Sequence, residues 1–137
     1  MKKIVLGYDD SEASQRALER TAQLAKAFGS QVMVTSVAPV EMSVGRSGGP
    51  VDPTEPVSKH VEELGRAREY LEGQGIQAEY QPAVGEVADT IIDLAQDGGA
   101  DLIVVGTREP SLYQRLLGQS VSDSVAHKAH VDVLIVH

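Results

Sequence analysis

Four consecutive apolar residues, Leu102-Ile103-Val104-Val105, run into Gly106-Thr107-Arg108 and then into a helix-like stretch that reaches Gly118-Gln119-Ser120-Val121. A run with no polar alternation suits a strand buried on both faces, in the middle of a parallel sheet. A buried strand that enters a small-residue turn and then a helix is also the layout that brings phosphate against backbone N–H groups in α/β proteins. Two positions where such a cradle wants glycine carry Glu109 and Gln119 instead. The segment reads as the scaffold of a nucleotide site with altered contents.

The rest of the chain alternates between short apolar runs and helical periodicity. Ile4 to Leu6 stops at the turn-and-cap cluster Gly7-Tyr8-Asp9-Asp10-Ser11, and Ala17, Leu18, Thr21, Ala22, Leu24, Ala25 and Phe28 then recur at helical spacing. A helix is predicted from about Ser11 to Phe28, with Gly29 as its stop. Val32 to Val37 is a second strand, followed by a stretch from Ala38 to Pro56 rich in Gly, Pro and Ser, expected to be a flexible loop. Val57, Val61, Leu64, Arg68 and Leu71 mark the inward face of an amphipathic helix, with Glu62, Glu63, Arg66 and Glu69 on its solvated face. Ile76 to Val84 is a third strand, and Pro82 places its end at an edge or a bulge. Gly85 opens a helix lined by Val87, Ile91, Leu94 and Ala95 and ended by Gly98-Gly99. Leu102 to Val105 is strand four, a helix is predicted over Ser111 to Lys128, and Val131 to Val136 makes strand five. Alternating strands and helices imply right-handed crossovers and a mostly parallel α/β sheet covered on both faces. A chain of 137 residues fits one domain, 1–137.

Several classes of function are excluded or disfavoured. The chain has no cysteine, which removes disulfides, thiol catalysis and cysteine-bound metal centres. His60, His127, His130 and His137 are spread too widely for a metal site, and no nucleophile stands near a partnered base, so no catalytic residue is assigned. The formal net charge is −8 with Lys and Arg scattered, which argues against a nucleic-acid partner. Ile4-Val5-Leu6 is too short for a signal peptide or a membrane span, so a cytoplasmic protein is expected. Strand five is an apolar edge, which is an aggregation hazard unless paired or covered by a loop. Pairing with the same strand of a second copy is the economical solution, and a homodimer through Val131 to Val136 is expected.

In open α/β sheets ligands sit beyond the carboxyl ends of the strands, where the strand order reverses. The residues there are Tyr8-Asp9-Asp10-Ser11, Val37-Ala38 and Gly106-Thr107-Arg108. Tyr8 reads either as a half-buried strand tyrosine or as a ring over a base. Asp9 and Asp10 read as helix caps or as polar contacts at the mouth. Arg108 reads as a phosphate contact or as a partner of Glu109, and Ser120 as an anion contact or a cap.

With these segments in order, the chain resembles the universal stress protein family. The resemblance rests on Ile4 to Glu12, Gly85-Glu86, Ala100 to Arg108, Arg115-Leu116-Leu117, Ser120 to Asp123 and Val133 to Val136. It implies a three-layer, Rossmann-like fold of the adenine nucleotide α-hydrolase type, with a five-stranded parallel sheet of order 3-2-1-4-5 and dimerisation through strand five. Nucleotide-binding members are similar to one another in a signature of Gly, two residues, Gly, nine residues, then Gly and Ser or Thr. Here Gly106 and Ser120 match it, while Glu109 and Gln119 replace the second and third glycines. Glu109 places a carboxylate where phosphate charge should sit, and Gln119 adds bulk where close backbone approach is wanted. The resemblance implies an ATP or AMP site built on Tyr8, Asp9, Val37, Gly106, Thr107, Arg108, Ser120 and Val121, weakened at its phosphate end. Asp9 would match the family's acidic residue after strand one, and Val37 the strand-two position whose backbone meets the adenine edge.

The expected function is that of a dimeric, non-catalytic stress-response protein with an altered adenine-nucleotide site, acting through an unidentified protein partner. A competent ATP or AMP binder with nucleotide-dependent signalling is the alternative. A phosphoacceptor receiver domain shares the paired acidic residues Asp9-Asp10 but needs an acceptor Asp ending strand three and a Lys after strand five. Neither stands at Gln81-Pro82-Ala83-Val84 or after Val136. A flavin electron carrier also uses such a sheet, but no hydroxyl-rich phosphate loop follows strand one.

Overall fold

The computed structural model describes residues 1–39, 56–107 and 121–137. Most of the loop expected over 38–56, the start of the helix expected from Ser111, and residues Arg108, Glu109, Gln119 and Ser120 lie outside the described residues. Among the described residues nine elements follow in chain order: β1 (Lys3–Gly7), α1 (Glu12–Phe28), β2 (Gln31–Pro39), α2 (Val57–Gly73), β3 (Ala78–Gly85), α3 (Val87–Asp97), β4 (Leu102–Gly106), α4 (Val121–Lys128) and β5 (Asp132–Val136). The strands form one sheet of order β3-β2-β1-β4-β5, and every pairing is parallel. Pro82 pairs opposite Ser36 with the register unbroken. The missing N–H is tolerated because β3 is an edge strand.

Alternation along the strands sorts the core into two layers. Ile4, Leu6, Val34 and Val104 pack against Ala17, Leu18 and Ala22 of α1 and Leu64, Ala67 and Leu71 of α2. On the other face Val5, Met33, Ile103 and Val105 pack against Ala88, Ile91, Ile92 and Ala95 of α3 and Val125 of α4. Such doubly covered strands must be apolar throughout, which is why Leu102 to Val105 carries no polar residue.

The helix boundaries follow from capping chemistry. Ser11 is the N-cap of α1, its hydroxyl accepting from Ser14 N at 3.2 Å, and Gly29 closes the helix with φ 64°. The cap belongs to Ser11 and not to either aspartate before it. Gly85 closes β3, and Glu86 caps α3 through Ala88 N and Asp89 N.

The inward face of α2 differs from the expected one. His60, Glu63, Leu64, Ala67 and Leu71 are buried, whereas Val61 is 52% exposed and Val57 38% exposed. The helix is rolled by about one position, so that small Ala67 meets the sheet and two polar side chains reach β2. The stripe read from Val57 and Val61 followed hydrophobicity alone. The helix instead follows a polar partner on β2, Ser36.

Candidate functional site at the carboxyl ends of β1, β2 and β4

The central strands separate at their carboxyl ends. Pairing of β1 with β4 stops at Leu6–Val104, while β2 follows β1 as far as Gly7–Thr35 and β5 follows β4 as far as Gly106–Val136. A crevice opens between β1 and β4, where the order of strands reverses. Tyr8 N donates to Thr35 O at 2.9 Å, after which the chain leaves the sheet for α1. Residues two apart in a parallel strand direct their peptide groups to the same side. Val37 therefore turns its N–H and C=O toward the space that β1 has vacated, with no backbone partner from β1 among the described residues.

Asp9 is held by the first turn of α1. Its Oδ1 accepts from Ser14 Oγ at 2.8 Å and from Ser11 N at 3.0 Å, and its own N–H donates to Ser14 Oγ at 3.0 Å. This bracing fixes the carboxylate at the mouth of β1. Tyr8 packs its ring in the core, 3% exposed.

Asp10 takes φ 62°, a left-handed conformation that a non-glycine residue adopts at a cost. Its carboxylate points to α2: Oδ1 accepts from Tyr8 OH at 2.8 Å and from Gln15 Nε2 at 2.9 Å, and Oδ2 pairs with Arg66 Nη2 at 2.8 Å. Gln15 Nε2 also donates to the Tyr8 oxygen. Asp10, expected as a cap or a polar contact at the mouth, is instead a carboxylate paired within a clasp of four side chains. Burial pushes the Asp10 carboxyl upward, but the hydrogen bonds from Tyr8 and Arg66 outweigh it and hold the group below the usual carboxylate range. Burial, then the bond to Asp10, pushes the Tyr8 phenol well above its ordinary value.

The clasp separates strain from contact at one residue. Asp10→Gly removes both the clasp and the left-handed penalty, whereas Asp10→Ala removes the clasp and retains a Cβ at φ 62°. The glycine variant should therefore be more stable than the alanine variant by about 1 kcal/mol in urea denaturation. The folded carboxyl titrates below its unfolded value, so the stability it contributes is complete above the unfolded range and is lost as pH falls through the folded one. The advantage of the native residue over Asp10→Ala should shrink below about pH 4.

Gly106 and Thr107 end β4. A Cβ on Gly106 would stand 2.5 Å from the carbonyl carbon and oxygen of Ala13 and 2.8 Å from Ser14 N, so this glycine lets the start of α1 close on β4. Thr107 N donates to Val136 O at 2.9 Å, and its hydroxyl lies 3.3 Å from His137 Nδ1. Arg16 of α1 donates from Nε to His137 O at 2.8 Å. Val121 is 42% exposed at the start of α4. The crevice thus gathers Asp9, Val37, Gly106 and Thr107 on neighbouring strand ends, while Arg108 and Ser120 lie outside the described residues.

Residues that sequence reading passed over surround this mouth. The sequence places Arg66 on a solvated helix face and gives His137 only as one of four histidines spread too widely for a metal site. His60 and Glu63 are buried against Ser36 of β2. Ser36 Oγ lies 2.7 Å from His60 Nδ1 and donates to Glu63 Oε2 at 2.8 Å. The hydroxyl has one proton, so with that proton on Glu63 the His60 Nδ1 carries its own and donates to Ser36 Oγ. Helical spacing places residues 60, 63 and 67 on one face, which is the sequence signal for this cluster, but its apolar content is too low for hydrophobicity to find it. Among the described residues no group of three His, Cys, Asp or Glu is placed to hold a metal ion, and no helix is long and apolar enough to cross a membrane.

The model of the universal stress protein family matches residues 1–137. Universal stress protein Rv1636 of Mycobacterium tuberculosis is 36% identical over 141 residues, spanning 99% of this chain and 96% of that protein. Universal stress protein MJ0531 of Methanocaldococcus jannaschii is 31% identical over 141 residues, spanning 98% of this chain and 81% of that protein. Of solved structures, a universal stress protein in complex with cAMP is similar with TM-score 0.76 at 30% identity, covering 99% of this chain and 97% of the other. The universal stress protein from Archaeoglobus fulgidus in complex with dAMP is similar with TM-score 0.76 at 25% identity, covering 100% and 98%. A match along the whole sequence, joined to the 3-2-1-4-5 sheet, places the chain: it belongs to the universal stress protein family.

Proposed function

We propose that residues 1–137 are a single-domain, non-catalytic stress-response protein that binds an adenine nucleotide in the β1–β4 crevice and acts, as a cytoplasmic homodimer, on a protein partner. The observation that carries this reading is the peptide edge of Val37, left unpaired by β1, together with the braced carboxylate of Asp9 just past the end of β1. An N–H and a C=O on one strand edge match the acceptor and donor on the edge of adenine, and a carboxylate accepts from ribose hydroxyls. The structural relatives in complex with cAMP and dAMP support the same class of ligand. Arg108, Ser120 and Val121 remain the candidates for the phosphate end. Glu109 disfavours added phosphates by like-charge repulsion, so AMP and cyclic AMP are favoured over ATP. The dimer is supported by β5, which pairs with β4 on one side and carries half-buried Val133, Leu134 and Ile135.

Calorimetric titration with ATP, ADP, AMP and cyclic AMP, with and without magnesium, tests this reading. The expected result is saturable binding of a mononucleotide, accompanied by a rise in melting temperature, in a sample that light scattering shows to be dimeric. Absence of heat and of thermal shift with all four would overturn the nucleotide reading. A monomer at micromolar concentration would overturn the dimer.

A further inference from the structure

β3 is the edge of the sheet opposite β5, and part of its outer side is open. Tyr8 N donates to Thr35 O, so Thr35 turns its peptide groups to β1, and Val32, Val34 and Ser36 turn theirs to β3. In a parallel ladder, a residue that faces the neighbouring strand bonds to the residues on either side of its register partner. Ala78, Tyr80 and Pro82, the register partners of Val32, Val34 and Ser36, therefore face outward. Pro82 has no N–H to offer there, and its C=O accepts from Gln81 Nε2 at 3.3 Å. Ala78 and Tyr80 present N–H and C=O groups that meet no partner among the described residues.

Beside this open stretch, a cleft of about 270 Å³ between α2 and β3 is lined by Arg68, Glu72, Gln77, Ala78 and Tyr80. The Tyr80 hydroxyl is buried and has no hydrogen-bond partner among the described residues. Burial pushes this phenol up against the opposing pull of the Arg68 charge, so the hydroxyl keeps its proton and is a donor. The Arg68 guanidinium stacks over the Tyr80 ring, 4.6 Å from its centre. It reaches Glu72 only at 3.9 Å, with both side chains more than half exposed. A loosely held guanidinium beside an unused hydroxyl donor suits a compact acceptor, and Glu72 at the rim repels a dianion more than a single carboxylate. Glu79, between Ala78 and Tyr80, is exposed, and no cation lies within ion-pair distance of it among the described residues.

We propose that the outer edge of β3 from Gln77 to Tyr80 docks an extended segment of a protein partner, which adds a strand to the sheet with an acidic side chain in the Arg68–Tyr80 cleft and a basic one, at the adjacent residue, against Glu79. Main-chain bonds to Ala78 and Tyr80 attach the segment, and its side chains select it. Successive side chains of an added strand point to opposite faces, as do those of Tyr80 and Glu79, so a neighbouring acid and base meet Arg68 and Glu79 in turn. Pro82 ends the pairing and keeps the docked segment short. The surface lies two strands away from β1. Of the functional reading above, the inference takes only the action on a protein partner.

The test is an NMR titration of the isotope-labelled full chain with the peptide acetyl-Thr-Val-Glu-Lys-Val-Thr-amide, and with the same peptide carrying Gln in place of Glu. Saturable shifts are expected at the amides of Ala78 and Tyr80, with a dissociation constant on the order of 1 mM. Binding should weaken about tenfold for the Gln peptide or in Arg68→Gln, and about threefold in Tyr80→Phe. Arg20→Gln, which removes the same charge from an exposed position on α1, should leave it unchanged. No saturable shift on β3 up to about 10 mM peptide, equal affinity for the two peptides, or an equal loss in Arg20→Gln overturns the docking site. Should Arg68→Gln melt early, Tyr80→Phe and the Gln peptide carry the comparison. AMP added to the same samples separates the two readings. Peptide bound without AMP overturns the nucleotide site alone, and AMP bound without peptide overturns the docking site alone.

Discussion

Gly106→Ala should lower the free energy of unfolding by about 3 kcal/mol or more, which makes it among the most damaging single-methyl additions available in this chain. The added Cβ would stand 2.5 Å from backbone atoms of Ala13 and 2.8 Å from Ser14 N, and backbone at the start of a helix cannot turn aside as a side chain can. Either α1 lifts from β4, which pulls Asp9 and Ser11 from the mouth, or β4 shifts against β5. Gly7→Ala is the matched control at the end of β1. Its Cβ would meet Ile91 Cδ1 at 2.8 Å, the far end of a flexible side chain, and should cost about 1 kcal/mol. Urea denaturation of the two variants distinguishes them, and equal costs would contradict the account of Gly106. Loss of nucleotide binding in a Gly106 variant would therefore report on the seating of α1 as much as on any phosphate contact.

The second large effect is expected at Glu63. Its side chain is 3% exposed, accepts from Ser36 Oγ at 2.8 Å and lies 3.3 Å from His60 Nδ1. Glu63→Ala leaves the Ser36 hydroxyl and the His60 ring buried without that carboxylate and opens a cavity under α2, at a cost of about 3 kcal/mol. Replacing the whole cluster by Ser36→Ala, His60→Leu and Glu63→Met together should recover part of that loss, because the desolvation of polar groups is then removed rather than left uncompensated. Chemical denaturation of the single and triple variants measures this directly. A triple variant less stable than Glu63→Ala would show that the cluster is worth more than apolar packing in the same space. Since α2 also carries Arg66 to Asp10, its loosening should be felt at the mouth of β1.

The strands, the helices and the doubly buried β4 were legible in the sequence because each depends on local periodicity, whereas the 3-2-1-4-5 order followed from the family resemblance. Val5 alternates with Ile4 and Leu6, Ala17 to Ala25 recur at helical spacing, and Gly29 stands just past the last periodic residue, where a left-handed cap is wanted. Strand ends were legible for the same reason, and they located the mouth at Asp9, Val37 and Gly106. Less was legible in α2, where Val57 and Val61 outweighed His60 and Glu63 on a hydrophobicity count although the latter are the buried pair. Asp10 could be read as a cap or as an acid at the mouth because its partner, Arg66, lies 56 residues away in the chain.

Element type and order along the chain thus came from the sequence by itself, since short-range sterics and the burial of apolar faces leave few alternatives, and the family came from the resemblance of its segments. What the tertiary structure decided was which polar groups meet: Asp10 with Arg66, Ser36 with His60 and Glu63, Arg16 with the backbone of His137, and Gly106 with the start of α1. Such contacts join residues remote in the chain and are selected by distance and desolvation, quantities that exist only once the layers have closed on one another.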